Sequence, residues 1–131
     1  MSRAFTLIEL MLVVVIIGIL AALAVPQLAG RSDQARAQAA QADINATLPI
    51  ALDLYELDMG SYPQNLDALR VRPADSENWH GPYLKKKPYD PWGRAYIYTV
   101  PGEHNTESYD LMSVGKDGQS GTKDDSVNWE N

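Results

Sequence analysis

The sequence predicts an α+β fold: a long N-terminal helix, half of it suited to a membrane, packed on a small antiparallel β-sheet with a C-terminal loop. Three observations carry this. Residues 10–25 form an uncharged apolar run, and an alanine-rich stretch with apolar residues at helical spacing follows it. Two short segments near the C-terminus combine tyrosines with β-branched or other apolar residues, as strands do. The tail is rich in glycine and aspartate. At 131 residues, the chain has room for one small domain beside the apolar segment.

The first element starts at Phe5. Residues 5–25 as a helix would measure about 31 Å at ~1.5 Å per residue, the thickness of a bilayer's hydrocarbon core. Arg3 precedes it and favours a cytoplasmic N-terminus. The run admits three readings. Ala22-Leu23-Ala24 resembles a signal-peptidase site, but a single arginine makes a thin n-region and a carboxylate early in the apolar stretch is foreign to such signals. A plain anchor accounts for the length and leaves Glu9 unexplained, since a carboxylate in a membrane helix costs roughly 2.5–3.5 kcal/mol on insertion scales. The third reading gives Glu9 a partner and rests on the local motif described below.

The helix should continue well past Pro26. Residues 31–46 hold six alanines, and Ile44, Leu48, Leu52 and Tyr55 follow one another along one helical face. One helix over residues 5–58 is expected, its second half carrying a domain on that stripe. Gly18 and Pro26 are weak points within it, and Pro49 either kinks the helix or begins a new one. Gly60-Ser61-Tyr62-Pro63 ends it. A short helical turn over residues 65–70 should place Leu66 and Leu69 inward, and residues 71–87 read as loop. Tyr96, Tyr98 and Val100 alternate with Ala95, Ile97 and Thr99 as a strand, Pro101-Gly102 turns, and residues 108–113 return antiparallel.

Composition excludes several functions. Net charge is −6, and the one basic run, Lys85-Lys86-Lys87 beside two prolines, reads as a solvated turn, so no nucleic-acid partner is expected. There is no cysteine, hence no disulfide, thiolate nucleophile or zinc–sulfur site. The two histidines, His80 and His104, lie in polar loop sequence, and no G-x-S-x-G, phosphate loop or H-E-x-x-H occurs, so no catalytic residue is assigned and no enzyme is expected. Trp92 and Trp129 read as anchors pinning the tail, and Trp79 receives no role.

In the tail, Asp117, Asp124 and Asp125 sit in a loop that Gly115, Gly118 and Gly121 allow to fold tightly. Oxygen donors without histidine or cysteine suit calcium. The spacing is not that of an EF-hand, and a metal-free acidic turn explains the same residues.

Two motifs carry a family resemblance. Ala4-Phe5-Thr6-Leu7-Ile8-Glu9 resembles the processing site of type IV pilins and type II secretion pseudopilins. The resemblance implies a leader of residues 1–4, an assembly and transmembrane helix over residues 5–26, and a periplasmic domain over residues 27–131. A prepilin peptidase would cut between Ala4 and Phe5 and methylate the new amine. Glu9 would then face the Phe5 amine of a neighbouring subunit. Ala4 departs from the usual glycine, which bears on cleavage efficiency. Asp90-Pro91-Trp92-Gly93, the tyrosine-rich strand, residues 110–118 and Asp124-Asp125 resemble the C-terminal half of the major pseudopilins, so a pilin-like fold is expected.

That family implies a calcium cofactor, held by Asp117, Asp124 and Asp125 with carbonyls from Val114, Thr122 and Gln119. It also implies an inner-membrane, single-pass homopolymer working with minor pseudopilins, an assembly platform and ATPase, and an outer-membrane secretin. The function so implied is a structural subunit of the secretion pseudopilus that drives export of folded proteins. A type IV pilus subunit for adhesion, motility or DNA uptake is the alternative.

Overall fold

The computed structural model describes residues 3–130. The first two positions of the expected leader, Met1 and Ser2, and the last residue of the expected domain, Asn131, lie outside the described residues. By internal contacts the chain divides into two units, residues 1–35 and 36–131.

Helix α1 spans Leu7–Ala42. A reciprocal cap starts it: the Thr6 amide donates to Glu9 Oε2 at 2.9 Å, and the Glu9 amide to Thr6 Oγ1 at 3.3 Å. Both bonds satisfy amides that a helix start otherwise leaves without partners. In the first unit, residues 10–25 are apolar on every side, and the large hydrophobics from Phe5 to Val25 face solvent in the isolated chain, from Phe5 at 82 % exposure to Ile16 at 47 %. An eighteen-residue window of the helical stretch reaches a mean hydropathy of 3.0 with none of it buried. A surface so extensively apolar calls for lipid or for other chains. Pro26 lies inside α1.

In the second unit α1 passes into a π-helical turn, Asp43–Thr47, and then α2, Leu48–Met59. This resolves the two options for Pro49. Helical dihedrals persist through Ala42, Thr47 and Leu48, so the chain does not break. Instead the Leu48 amide reaches back five residues to the Asp43 carbonyl. The extra residue widens the turn where the Pro49 ring would otherwise meet the Asn45 carbonyl. Gly60, at φ 83°, ends α2 in the left-handed conformation and donates to the Glu56 carbonyl at 2.7 Å.

The predicted stripe is the core. Ile44, Leu48, Leu52 and Tyr55 are all buried, joined by Leu66 and Leu69 of a 3₁₀ turn, Leu66–Leu69, and by Tyr96, Tyr109 and Leu111 of the sheet side. Each fully buried Leu or Ile contributes about 1.5–3 kcal/mol. Trp79, without a role in the sequence reading, packs against this core and donates from Nε1 to the Ala68 carbonyl at 2.8 Å.

The sheet has three antiparallel strands in the order β1 (Ile97–Thr99), β2 (Asp110–Ser113), β3 (Ser126–Val127). Tyr98 faces Leu111, and Met112 faces Val127. β1 is shorter than the expected strand because its leading residues pair elsewhere: Ala95 bridges Tyr89, and the Tyr96 amide reaches the Pro88 carbonyl. β3 is absent from the sequence reading. Its pairing is prolonged by Asn128, whose side chain accepts from the Leu111 amide at 2.7 Å and donates to the Tyr109 carbonyl at 3.1 Å.

Candidate assembly head and cation loop

At the head of the chain, Arg3, Ala4, Phe5 and Glu9 line one open concavity of about 440 Å³. The structure therefore brings the expected cut site and the expected assembly carboxylate together. The sequence reading gave Glu9 a partner in a neighbouring subunit; within one chain it already caps its own helix through Oε2. Thr6-Leu7-Ile8-Glu9 carries the capping-box spacing, a signal available in the sequence. A carboxylate has about four acceptor sites, so the cap leaves Glu9 able to accept from an amine as well.

The loop between β2 and β3 is built around Gly115, Gly118 and Gly121, all at positive φ. Gly115 is obligatory twice over: its φ of 70° disfavours a side chain, and a methyl there would collide with the Asp124 carbonyl and Cβ. The two limbs of the loop thus touch at Gly115 and Asp124. Asp117 Oδ1 accepts from the Gln119 amide at 3.0 Å. That amide, followed by the Thr122 hydroxyl, holds the Asp117 carboxyl below its ordinary value against the opposing effect of burial, with a lesser pull from Arg94. Asp125 Oδ2 accepts from the Gly121 amide at 2.6 Å and the Thr122 amide at 3.3 Å. The Gln119 carbonyl accepts from the Thr122 hydroxyl at 3.2 Å, and the Thr122 carbonyl from the Asp125 amide at 3.3 Å.

Among the described residues no three acidic or histidine side chains converge as a ready-made metal cage. Asp117 and Asp125 turn instead to loop amides. The residues fit calcium in other respects: the donors are carboxylates and carbonyls alone, the limbs are closed against each other, and oxygens bonded to one amide keep acceptor capacity.

Two buried carboxylates frame the loop. Asp90, 4 % exposed, accepts from the Trp92 amide at 3.1 Å and the Arg94 amide at 2.8 Å through Oδ1, and from the Ser113 hydroxyl at 2.9 Å through Oδ2. This is the physical content of the Asp90-Pro91-Trp92-Gly93 segment: an Asx turn whose carboxylate is tied to the end of β2. Asp110, 6 % exposed, accepts through its two oxygens from the amides of Glu103, His104 and Asn105 and meets His104 Nδ1 at 3.0 Å. Trp129 stacks on the His104 ring at 4.1 Å between centroids, which ties the C-terminal tail to the turn that holds Asp110. Trp92 is half-buried, and its Nε1 finds no hydrogen-bond partner among the described residues.

Comparisons with known proteins bear on both regions. Residues 27–131 match the family described as type II secretion system (T2SS), protein G, and residues 1–25 match the prokaryotic N-terminal methylation motif. The chain is 48 % identical to the type II secretion system core protein G of Escherichia coli K12, over 98 % of this chain and 91 % of the relative. It is likewise 48 % identical to that of Pseudomonas aeruginosa, over 99 % and 96 %. The crystal structure of the major pseudopilin from the type 2 secretion system of enterohaemorrhagic Escherichia coli superposes with a TM-score of 0.63 at 36 % identity, covering 76 % of this chain and 87 % of that one.

Proposed function

The chain belongs to the type II secretion system protein G family, and from that premise we propose how its head and loop serve a secretion fibre. It is a structural subunit of the type II secretion pseudopilus, in a family of pseudopilins rather than of enzymes. The observation that carries the assembly proposal is that residues 7–25 of α1 are apolar on all sides with a single carboxylate, Glu9, near the start.

Such a helix is satisfied either by lipid or by packing against copies of itself. The precursor enters the inner membrane with Arg3 inside and residues 27–131 in the periplasm. A prepilin peptidase removes residues 1–4 and methylates the Phe5 amine. In lipid Glu9 is costly. In the fibre the methylated amine of a neighbour's Phe5 supplies the opposite charge, while Glu9 continues to accept from the Thr6 amide at the helix start. Breaking such a buried pair costs about 3–5 kcal/mol, enough to decide assembly. An inner-membrane platform with its ATPase extracts the subunit, minor pseudopilins complete the fibre, and the growing fibre pushes folded cargo toward the secretin. The chain itself performs no chemistry.

The loop, in this reading, binds calcium through Asp117, Asp124 and Asp125 with carbonyls of Val114, Thr122 and Gln119. A divalent ion there staples a small cysteine-free domain. The donor set and the closed limbs support this. No observation favours the pilus alternative over the secretion fibre.

Glu9→Ala tests the assembly proposal. The variant should be processed and methylated like the parent yet form no fibres and fail to restore secretion in a strain lacking the gene. Ordinary fibres from that variant would sink the pairing of Glu9 with Phe5.

A further inference from the structure

We infer that Arg94 is a positioning residue for the cation loop: it holds the limb that carries Val114 and Asp117 in place, so that its loss weakens calcium binding. The inference rests on the calcium reading above. Its basis is a closed circuit of bonds around one peptide. Arg94 Nη1 donates to the Gly115 carbonyl at 2.8 Å, and the Gly115 amide donates to Ser113 Oγ at 3.3 Å. Ser113 in turn donates to the buried Asp90, whose other oxygen accepts from the Arg94 amide. The Arg94 carbonyl accepts from the Asp90 amide at 2.7 Å. Both backbone groups of Arg94 are therefore fixed to Asp90, and both backbone groups of Gly115 are fixed by this unit.

The guanidinium does a second thing. A methyl group on Gly118 would lie 2.8 Å from Arg94 Cζ and Nη2, so the loop backbone lies directly against the guanidinium. The arginine thus touches the loop on both sides of Asp117, at Gly115 and at Gly118. Arginine suits this because its rigid planar fork offers donors and a contact surface together, whereas an ammonium offers donors alone.

Two effects oppose each other. A cation beside a cation site repels the ion; an ordered limb spares the ion the entropy of ordering it. Arg94 is exposed, so the high dielectric of the surrounding water weakens its repulsion of the ion. Ordering the backbone of about one residue is worth roughly a tenfold change in affinity. Ordering therefore outweighs repulsion.

The test is calcium titration of the full-length protein in detergent, by calorimetry and by melting with and without calcium chloride. Arg94→Ala should bind calcium about tenfold more weakly, the factor expected for about one residue's ordering. It should also lose part of the rise in melting temperature that calcium gives the parent. Arg94→Lys, which keeps the charge and donors but not the flat face, should recover part of both and covers the case in which the alanine variant does not fold. Parent-like or tighter binding by the alanine variant would overturn the inference. So would a melting loss equal with and without calcium, which marks a merely structural role. A parent that binds no calcium defeats the calcium reading instead.

Discussion

The Tyr96 hydroxyl donates to the Asp43 carboxylate at 2.8 Å, tying the residue before β1 to the π turn of the helix. The bond joins positions 53 residues apart in the sequence. Burial, followed by the bond to Asp43, pushes the Tyr96 hydroxyl well above its ordinary range, so it remains a donor at every pH the protein meets. Hydrogen bonds to charged groups contribute about 1.5–3 kcal/mol, and half-buried Asp43 retains access to water, which favours the low end. Tyr96→Phe should therefore lower the melting temperature by several degrees, at about 4–8 °C per kcal/mol for a domain of this size. A variant melting with the parent would show that the bond contributes nothing.

Asp110 predicts an acid limit. Burial alone would raise its carboxyl, but the amides of His104 and Asn105, the His104 ring and the Glu103 amide together hold it below the ordinary 3.8. A carboxyl lowered on folding stabilises the native state, in full above that ordinary value. This contribution is lost as pH falls through the lower folded value. Urea unfolding across the acid range should show Asp110→Asn destabilised at neutral pH, with the gap to the parent narrowing as the parent's carboxyl protonates. A gap constant with pH would refute this assignment.

The loop predicts a metal-linked stability. A ligand that binds only the native state stabilises it in proportion to its occupancy. Chelator should lower the parent's melting temperature, and Asp124→Ala should lower it comparably while removing the response to chelator. Melting indifferent to both would remove calcium from the account.

Much of this was legible in the sequence because helical periodicity reports burial directly. Ile44, Leu48, Leu52 and Tyr55 form the core stripe, Gly60 stops the helix, and Leu66 and Leu69 turn inward as expected. What escaped depends on contacts between distant residues. The π turn was hidden because Pro49 fits a kink or a new start equally well, and only the helical dihedrals on either side of the turn and the bond from the Leu48 amide to Asp43 choose a continuous path. β3 was hidden because two residues are too few to show an alternation, and its pairing leans on the Asn128 side chain. Asp90 and Trp79 sit in polar stretches, and their burial depends on Ser113 and Ala68, 23 and 11 residues away. At the candidate site, Glu9 stood out by its place in an apolar run and the loop aspartates by their glycine-rich setting; the capping box at Thr6 was legible but unread, and the Arg94 circuit needed coordinates.

The most direct test of the central claim is the intact mass and N-terminal fragmentation of the mature protein from its secretion-competent host. The account predicts a chain beginning at Phe5 and carrying one methyl group on its amine. A chain beginning at Val25, the product of cleavage after Ala22-Leu23-Ala24, would contradict it, because the assembly helix and Glu9 would then be absent from the mature protein.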